Sequence, residues 1–222
     1  MIDKLFIELS WQSSSLVEEF GEPDDLIYLY YGDVLGIGED DSRSRIGKFR
    51  AQYVDVGRAM NKREAIFDVL DCHSSSTVEY FEPIFGENSP CFSEAVEEVT
   101  NGEADGCNLL ILDRLELLPM FRGHNIGLKI LRHMMVRFSP GAGLIALKAF
   151  PLQLECESTD AEERIWREQL GLETFVQDEK LSISKLQSYY SKLGFRLLPD
   201  SKFMVFATGW PFPSLENGGQ RE

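Results

Sequence analysis

The feature that most constrains the fold is a switch from strand to helix within residues 108–138, NLLILDRLELLPMFRGHNIGLKILRHMMVRF. Residues 109–118 are dominated by Leu and Ile and have the length of a largely buried strand. Pro119 has no N–H to donate and ends that strand. From Ile126 onward the apolar residues recur with the period of a helix, and residues 144–150 have the composition of another strand. This stretch predicts a strand, a polar turn, a helix and a second strand.

The polar turn, RGHNIG at residues 122–127, is predicted to bind an anion. The first N–H groups of a helix lack partners within the helix, and the helix dipole adds partial positive charge there. Gly123 and Gly127 have no β-carbon, so a phosphate can come close to the backbone. Two common phosphate motifs are absent. A Walker A loop needs four residues between its glycines and then Lys-Ser/Thr, and the dinucleotide fingerprint needs G-x-G-x-x-G.

This stretch resembles the GNAT superfamily of acetyl-CoA-dependent N-acetyltransferases. The pyrophosphate loop of that family reads Gln/Arg-x-x-Gly-x-Gly/Ala between a strand and a long helix, and Arg122, Ile126 and Gly127 match it. Three residues before the loop stand where the family commonly has V-x-P-x-Y: Leu117, Pro119 and Phe121. Asn125 replaces the first motif glycine. Asn tolerates positive φ better than other non-glycine residues, so the turn is expected to survive with some crowding of the pyrophosphate.

A second block, YYSKLGF at residues 189–195, resembles the family's Y-x-x-x-G-F near the last helix, with Tyr190 at the Tyr position. The resemblance covers residues 108–206. It implies an α/β (α+β) GNAT-like fold, with a mixed, splayed sheet flanked by helices in a single domain over residues 1–222. The alternative is a strand–helix–strand unit with an ordinary glycine turn.

Composition limits the classes of partner. The 22 basic and 37 acidic residues give a net charge of −15, which argues against a nucleic-acid partner because phosphate contacts need a basic surface. No apolar run approaches the ~20 residues needed to span a bilayer, so no membrane partner is expected. The first residues lack the apolar core of a signal peptide, and a cytoplasmic location is expected.

A metal site is not expected. The chain has no C-x-x-C pair, and its cysteines are interpreted as reduced thiols rather than a disulfide framework. They are Cys72, Cys91, Cys107 and Cys156. The three histidines do not form a ligand set. Among them, His124 lies in the predicted phosphate loop.

Residues 1–107 follow the family's usual element order poorly. Strands are predicted over 26–31 and 46–56, with a turn at Gly32-Asp33 after the first. Helices are predicted over 13–20, 61–70 and 94–100. Two alternatives remain open: strands lie within residues 76–92, or the strands lie earlier and the helices are inserted.

The C-terminal part is predicted to contain two helices and a hairpin. A helix over residues 155–169 is expected to bury Ile165, Trp166 and Leu170. The last helix is predicted over 184–193 and a terminal hairpin over 196–208. Residues 209–222 are expected to form a flexible tail.

The resemblance implies how acetyl-CoA, the acyl donor, would bind. The pantetheine would lie between the strands at 109–118 and 144–150, and the pyrophosphate would accept N–H groups of the turn, with charge from Arg122. The implied binding residues are Leu117, Leu118, Arg122, Gly123, His124, Asn125, Ile126 and Gly127.

Two residues are candidates for proton transfer. Tyr190 matches the family's proton donor to the CoA thiolate; alternatively it only packs under the cofactor. Glu116 is preferred to Asp113 as the base, the alternative being a salt-bridged strand residue. Tyr189 is expected to be structural. The expected activity is acetyl transfer to a primary amine of a small molecule or protein. A non-catalytic acyl-CoA-binding or interaction module is the alternative. Acceptor identity, acyl length and oligomeric state stay open.

Overall fold

One mixed sheet of seven strands organises the computed structural model, which describes residues 5–14, 21–155 and 159–214. The strands are β1 (Phe6–Gln12), β2 (Ile27–Ile37), β3 (Arg43–Val54), β4 (Leu109–Leu117), β5 (Leu144–Lys148), β6 (Arg196–Leu197) and β7 (Phe203–Ala207). Their order is β1-β2-β3-β4-β5-β7-β6. Only β4 and β5 are parallel neighbours. The expected mixed α/β class is confirmed.

Eight α-helices flank this sheet in the described residues. They are α1 (Val56–Lys62), α2 (Ile66–His73), α3 (Ser75–Val78), α4 (Phe81–Ile84), α5 (Glu94–Thr100), α6 (Ile126–Phe138), α7 (Ala161–Gln169) and α8 (Glu179–Ser191). No helix in the described ranges has the length and apolar character needed to cross a membrane.

The central unit is the part that the sequence predicts best. Strand β4, helix α6 and strand β5 all begin at the residues where the apolar pattern places them. The last helix, α8, begins at Glu179, five residues before its predicted start, and the side chain of its N-cap residue Asp178 accepts a hydrogen bond from the Leu181 N–H. An N-cap of this kind stabilises the helix start.

The predicted turn at Gly32-Asp33 is wrong, because β2 continues through both residues. Gly32 lies opposite Trp11 of β1. A β-carbon on Gly32 would overlap the Ser10 carbonyl oxygen, so glycine permits a close approach of two strands here.

The five helices α1–α5 are inserted between β3 and β4. Residues 76–92, all of them described, contain helices and turns and no strand, so the second of the two open alternatives is correct. The single helix expected over 61–70 is divided at Arg63, which adopts a left-handed φ of 64°. The expected end of α5 is confirmed: Ser93 caps its start and Asn101 is left-handed.

The helices bury the two faces of the sheet separately. Helices α6 and α8 cover one face, where Leu110, Leu112 and Ile145 point. Helices α1–α5 cover the other, where Leu109, Ile111 and Ala146 point. The alternation along β4 and β5 therefore assigns each side chain near the site to one face.

Strands β4 and β5 pair over only three residues each. The pairs run from Leu109 with Leu144 to Ile111 with Ala146. On its other edge β4 carries a bulge at Asp113, since Arg50 pairs with Arg114 while Ala51 pairs with Leu112. A bulge bends its strand and increases the local twist. Beyond Ile111 the two strands are no longer paired, and we call this unpaired stretch between them the gap.

Two expectations differ in the remaining segments, and a third lies mostly outside the described residues. Ile165 is 58% exposed, whereas Trp166 and Leu170 of the same predicted stripe are buried. Trp210 and Phe212, from the stretch expected to be a flexible tail, pack against Phe206. The helix expected over 13–20 falls mostly on residues 15–20, which lie outside the described ranges.

Candidate functional site

The turn before α6 has an unusual backbone. Gly123, His124 and Asn125 adopt positive φ in succession, at 80°, 38° and 56°. Asn125 is the N-cap residue of α6, and its side chain makes no hydrogen bond to the helix. All three residues are exposed. The turn presents its backbone to solvent at the positive end of a 13-residue helix.

Gly123 and Gly127 have different roles. A β-carbon on Gly123 would meet nothing within 4 Å, so this residue faces open space. A β-carbon on buried Gly127 would lie 2.5 Å from the Tyr189 phenol oxygen. The missing side chain of Gly127 thus makes room for Tyr189 of α8. Gly127 therefore has a packing role, and the expectation that it lets a phosphate approach the backbone stays a prediction.

Tyr189 also contacts the backbone of α6. Burial raises the pKa of the Tyr189 phenol, and a hydrogen bond from the Leu128 backbone opposes this shift. Tyr189 therefore takes one of the orphan N–H groups of the helix start, consistent with the structural role expected for it.

Arg122 is held by the protein itself. Its Nε donates to the Leu117 carbonyl oxygen at 2.8 Å and its Nη2 to the Leu170 carbonyl oxygen at 2.6 Å. The guanidinium also lies 4.7 Å from the centre of the Phe175 ring. Burial lowers the pKa of Arg122, and the charge of Glu173 opposes that shift. Arg122 places a cation near the turn while it joins β4 to the end of α7.

Leu117 and Leu118 lie at the end of β4 beside the gap. The Leu118 N–H donates to the Ile46 carbonyl oxygen of β3 at 2.9 Å. Backbone groups of successive strand residues point to opposite edges, so those of Leu117 point away from β3, towards the gap. Its carbonyl oxygen already accepts from Arg122. The Leu117 N–H faces the edge where an extended ligand could pair.

Tyr190 lies next to Tyr189 with its ring roughly edge-on, 5.7 Å between centroids. The side chain packs against the core between α6, α8 and the sheet. Burial, with a smaller effect from Tyr189, raises the pKa of Tyr190 to about 12. Tyr190 is therefore a protonated phenol at neutral pH.

Tyr80 is a site residue that sequence reasoning missed. It is buried between α3 and α4 and packs edge-on against Phe203, with ring centroids 4.8 Å apart. Burial raises its pKa well above the ordinary value, and the charge of Asp113 raises it further. The Lys148 backbone donates to the phenol and opposes the shift, while Tyr190 contributes another small increase. No motif marks Tyr80, because only the fold of the inserted helices brings it to the gap.

Glu116 is part of a hydrogen-bonded network. It is 6% exposed, and its carboxylate accepts from Arg114 Nη1 at 2.8 Å and from Trp166 Nε1 at 2.6 Å. Arg114 also donates to Glu155 at 2.6 Å. Both carboxylate oxygens of Glu116 are therefore already engaged by hydrogen bonds within the protein. A role as base stays a prediction, and these contacts favour the salt-bridged alternative.

The turn before α6 and the unpaired edge of β4 together suit a long, anionic ligand with an extended arm. The turn offers exposed backbone at a helix N-terminus, and β4 offers a strand edge that is unpaired beyond Ile111. Within the described residues, no three His, Cys, Asp or Glu side chains are grouped to hold a metal ion. Comparisons with family models, curated proteins and solved structures find no match to this chain.

Proposed function

We propose that the protein is an acetyl-CoA-dependent N-acetyltransferase with a GNAT-like fold that acts on a primary amine in the cytoplasm. The observation that carries the proposal is the end of β4–β5 pairing at Ile111 and Ala146, on the strand that leads into the turn and α6. A pantetheine arm carries amides that can pair with a strand edge, as a missing strand would. A pyrophosphate fits the exposed turn at the helix start.

The reaction needs a protonated group near the departing sulfur. The amine nitrogen forms a bond to the thioester carbonyl carbon, and the C–S bond breaks with its electron pair on sulfur. The nitrogen loses one proton and the sulfur gains one, so the protons balance. Tyr190 is the hydrogen-bond donor we propose, since its phenol is protonated at neutral pH and interacts electrostatically with Tyr80.

The pKa of Tyr190 limits how far it can act as an acid. Full proton transfer from a phenol of pKa about 12 to a thiolate is uphill, because an ordinary thiol, with a pKa of ~8.5, is the stronger acid. Tyr190 is therefore expected to act mainly by donating a hydrogen bond to the developing thiolate, with the proton lost by the amine balancing the final charge.

Two carboxylates are candidates for the base that accepts the amine proton. Glu116 stays a prediction because its oxygens accept from Arg114 and Trp166. Asp113, the bulged residue, lies two positions beyond the last β4–β5 pair. Either carboxylate could take the amine proton through water.

Thiol release from acetyl-CoA in the presence of a panel of primary amines tests this proposal. We expect release that depends on the amine and an N-acetylated product by mass spectrometry. Binding of CoA without turnover of acetyl-CoA or longer acyl-CoAs would support the non-catalytic alternative. The structural engagement of Arg122 and Glu116 is the observation that favours that alternative.

A further inference from the structure

The face of the β4–β5 gap that turns towards α1–α5 is lined by ion pairs between separate elements. Arg50 of β3 pairs with Asp113 of β4. Lys148 of β5 pairs with Glu79, between α3 and α4. Arg114 of β4 bridges Glu116 and Glu155. We call this set the acceptor wall: Arg50, Glu79, Asp113, Arg114, Glu116, Lys148 and Glu155.

The side-chain alternation of the sheet assigns these residues to that face. Arg50 lies between Phe49 and Ala51, which pack on the opposite, α6 side. Lys148 follows Ala146 at a spacing of two, and Ala146 packs towards α1–α5. Asp113 acts electrostatically on Tyr80, which belongs to the inserted helices. The acceptor wall therefore lies on the face of the sheet opposite α6, where an acceptor would approach the gap.

The charge of this wall differs from that of the whole chain. The chain carries −15, yet each carboxylate of the wall is joined to an Arg or Lys. A polyamine offers no anion to the cations of the wall, whereas an acceptor with both an anion and an amino group can contact both signs of charge. The paired charges of the wall therefore match such an acceptor better than a purely cationic one.

Arg50 is the cation best placed to receive an external anion. Its Nε donates to Asp113, and its side chain is 44% exposed while that of Asp113 is 11% exposed. The Arg50 side chain is therefore partly open to solvent while it holds Asp113. Guanidinium binds carboxylate with two parallel N–H···O hydrogen bonds, which gives both strength and orientation.

We propose that the acceptor is an α-amino acid or a close analogue. Its carboxylate binds Arg50 and its amino group lies beside Asp113. An α-amino acid holds both groups on one carbon, so both can contact one neighbouring Arg–Asp pair at the point where β4 leaves β5. This inference rests on the proposed function and names the substrate class of that site.

The test compares each proteinogenic α-amino acid with its carboxamide, and with spermidine as a polyamine. Thiol release reports turnover, and ligand-observed NMR in the presence of CoA reports binding independently of turnover. We expect at least one amino acid to bind and to be acetylated, with kcat/KM at least tenfold above that of its amide. Arg50→Gln should raise KM tenfold or more and change kcat less than threefold, and Arg50→Lys should lie between them.

Arg43→Gln is the matched control. Arg43 is exposed on the same strand and pairs with Glu8, away from the gap, so KM should not change. Thermal melting checks that each variant folds, and Arg50→Lys carries the test if Arg50→Gln does not. The inference is overturned if the enzyme prefers amides or spermidine, or if KM is unchanged in the Arg50 variant. Thiol release in those experiments would still support the proposed acetyltransferase activity. Failure of every amino acid both to bind and to react also overturns it, and failure to bind CoA overturns the proposed function separately.

Discussion

The phenol oxygen of Tyr189 occupies the space that a side chain on Gly127 would need, 2.5 Å from the position of its β-carbon. Gly127 lies in the first turn of α6 and Tyr189 lies near the end of α8, so this contact joins the two helices beside the turn at residues 122–127. The next nearest Tyr189 atom, the ring carbon that carries the hydroxyl, lies 3.6 Å away, an ordinary contact distance. The hydroxyl alone therefore makes the site intolerant of alanine.

The first prediction is that Gly127→Ala destabilises the protein by roughly 1–3 kcal/mol through overpacking. Adding Tyr189→Phe to that variant should restore stability to within about 1 kcal/mol of wild type, since the clash goes and alanine gains helix propensity. Denaturant unfolding of the two single variants and the double variant measures this. Equal stability of Gly127→Ala with and without Tyr189→Phe would contradict the contact.

The second prediction concerns Asn125, whose φ is 56°. Asn125→Gly should keep or tighten CoA binding, because glycine adopts this conformation freely and removes a side chain from the turn. Asn125→Val should weaken CoA binding and cost about 1–2 kcal/mol of stability, because a β-branched residue resists positive φ. Calorimetric titration with CoA measures both. A tenfold loss of affinity in Asn125→Gly would instead show that the Asn side chain makes a specific contact.

The third prediction concerns Tyr190. Loss of a positioned acid usually lowers kcat by ~10²–10⁴, and the raised pKa of Tyr190 leads us to expect the lower end, about 10², for Tyr190→Phe. The Kd for acetyl-CoA should stay nearly unchanged because the ring still packs. Tyr189→Phe is the matched control and should change kcat little, because the Tyr189 hydroxyl contacts the α6 backbone. Loss of kcat in both variants alike would indicate helix packing rather than proton donation.

The fourth prediction is a pH dependence of stability. Burial raises the pKa of Tyr190 to about 12 from an ordinary ~10, so the folded state binds a proton that the unfolded state releases. Its stabilising effect is complete below pH ~10 and is lost as the pH rises from ~10 through 12. Tyr190→Phe should therefore lose less stability than wild type in that window, by on the order of 2 kcal/mol. Unfolding at several alkaline pH values measures this, with exposed Tyr31→Phe as the control that should follow wild type.

Local signals predicted the β4–α6–β5 unit. Each of its elements has a complete apolar pattern, and Pro119 ends the strand within the same short stretch. The positive φ of Asn125 was also predictable, since the preference of Asn for this conformation is a property of the residue itself. These features arise from residues near one another in sequence.

Long-range contacts account for what was missed. Gly32 resembles a turn residue locally, and only the approach of Ser10 on β1 explains it. Arg50 and Asp113 are 63 positions apart, and their pairing depends on the register of β3 with β4 and on the bulge. Tyr80 reaches the gap only because five helices fold back over the sheet. The spacing of apolar residues along the sequence does not predict contacts between residues so far apart.

Titration of CoA and pantetheine into wild type and Asn125→Glu tests the central claim most directly. Asn125 is exposed in the turn, so the added carboxylate would face the pyrophosphate of CoA, which pantetheine lacks. Gly127→Glu would be a poor probe because that side chain would strike Tyr189. His133→Glu, an exposed change two turns along the same helix, is the charge-matched control. We predict that Asn125→Glu weakens CoA binding at least tenfold, or ~1.4 kcal/mol, while pantetheine binding and His133→Glu match wild type. Failure of wild type to bind CoA, or equal CoA binding by wild type and Asn125→Glu, would contradict the account.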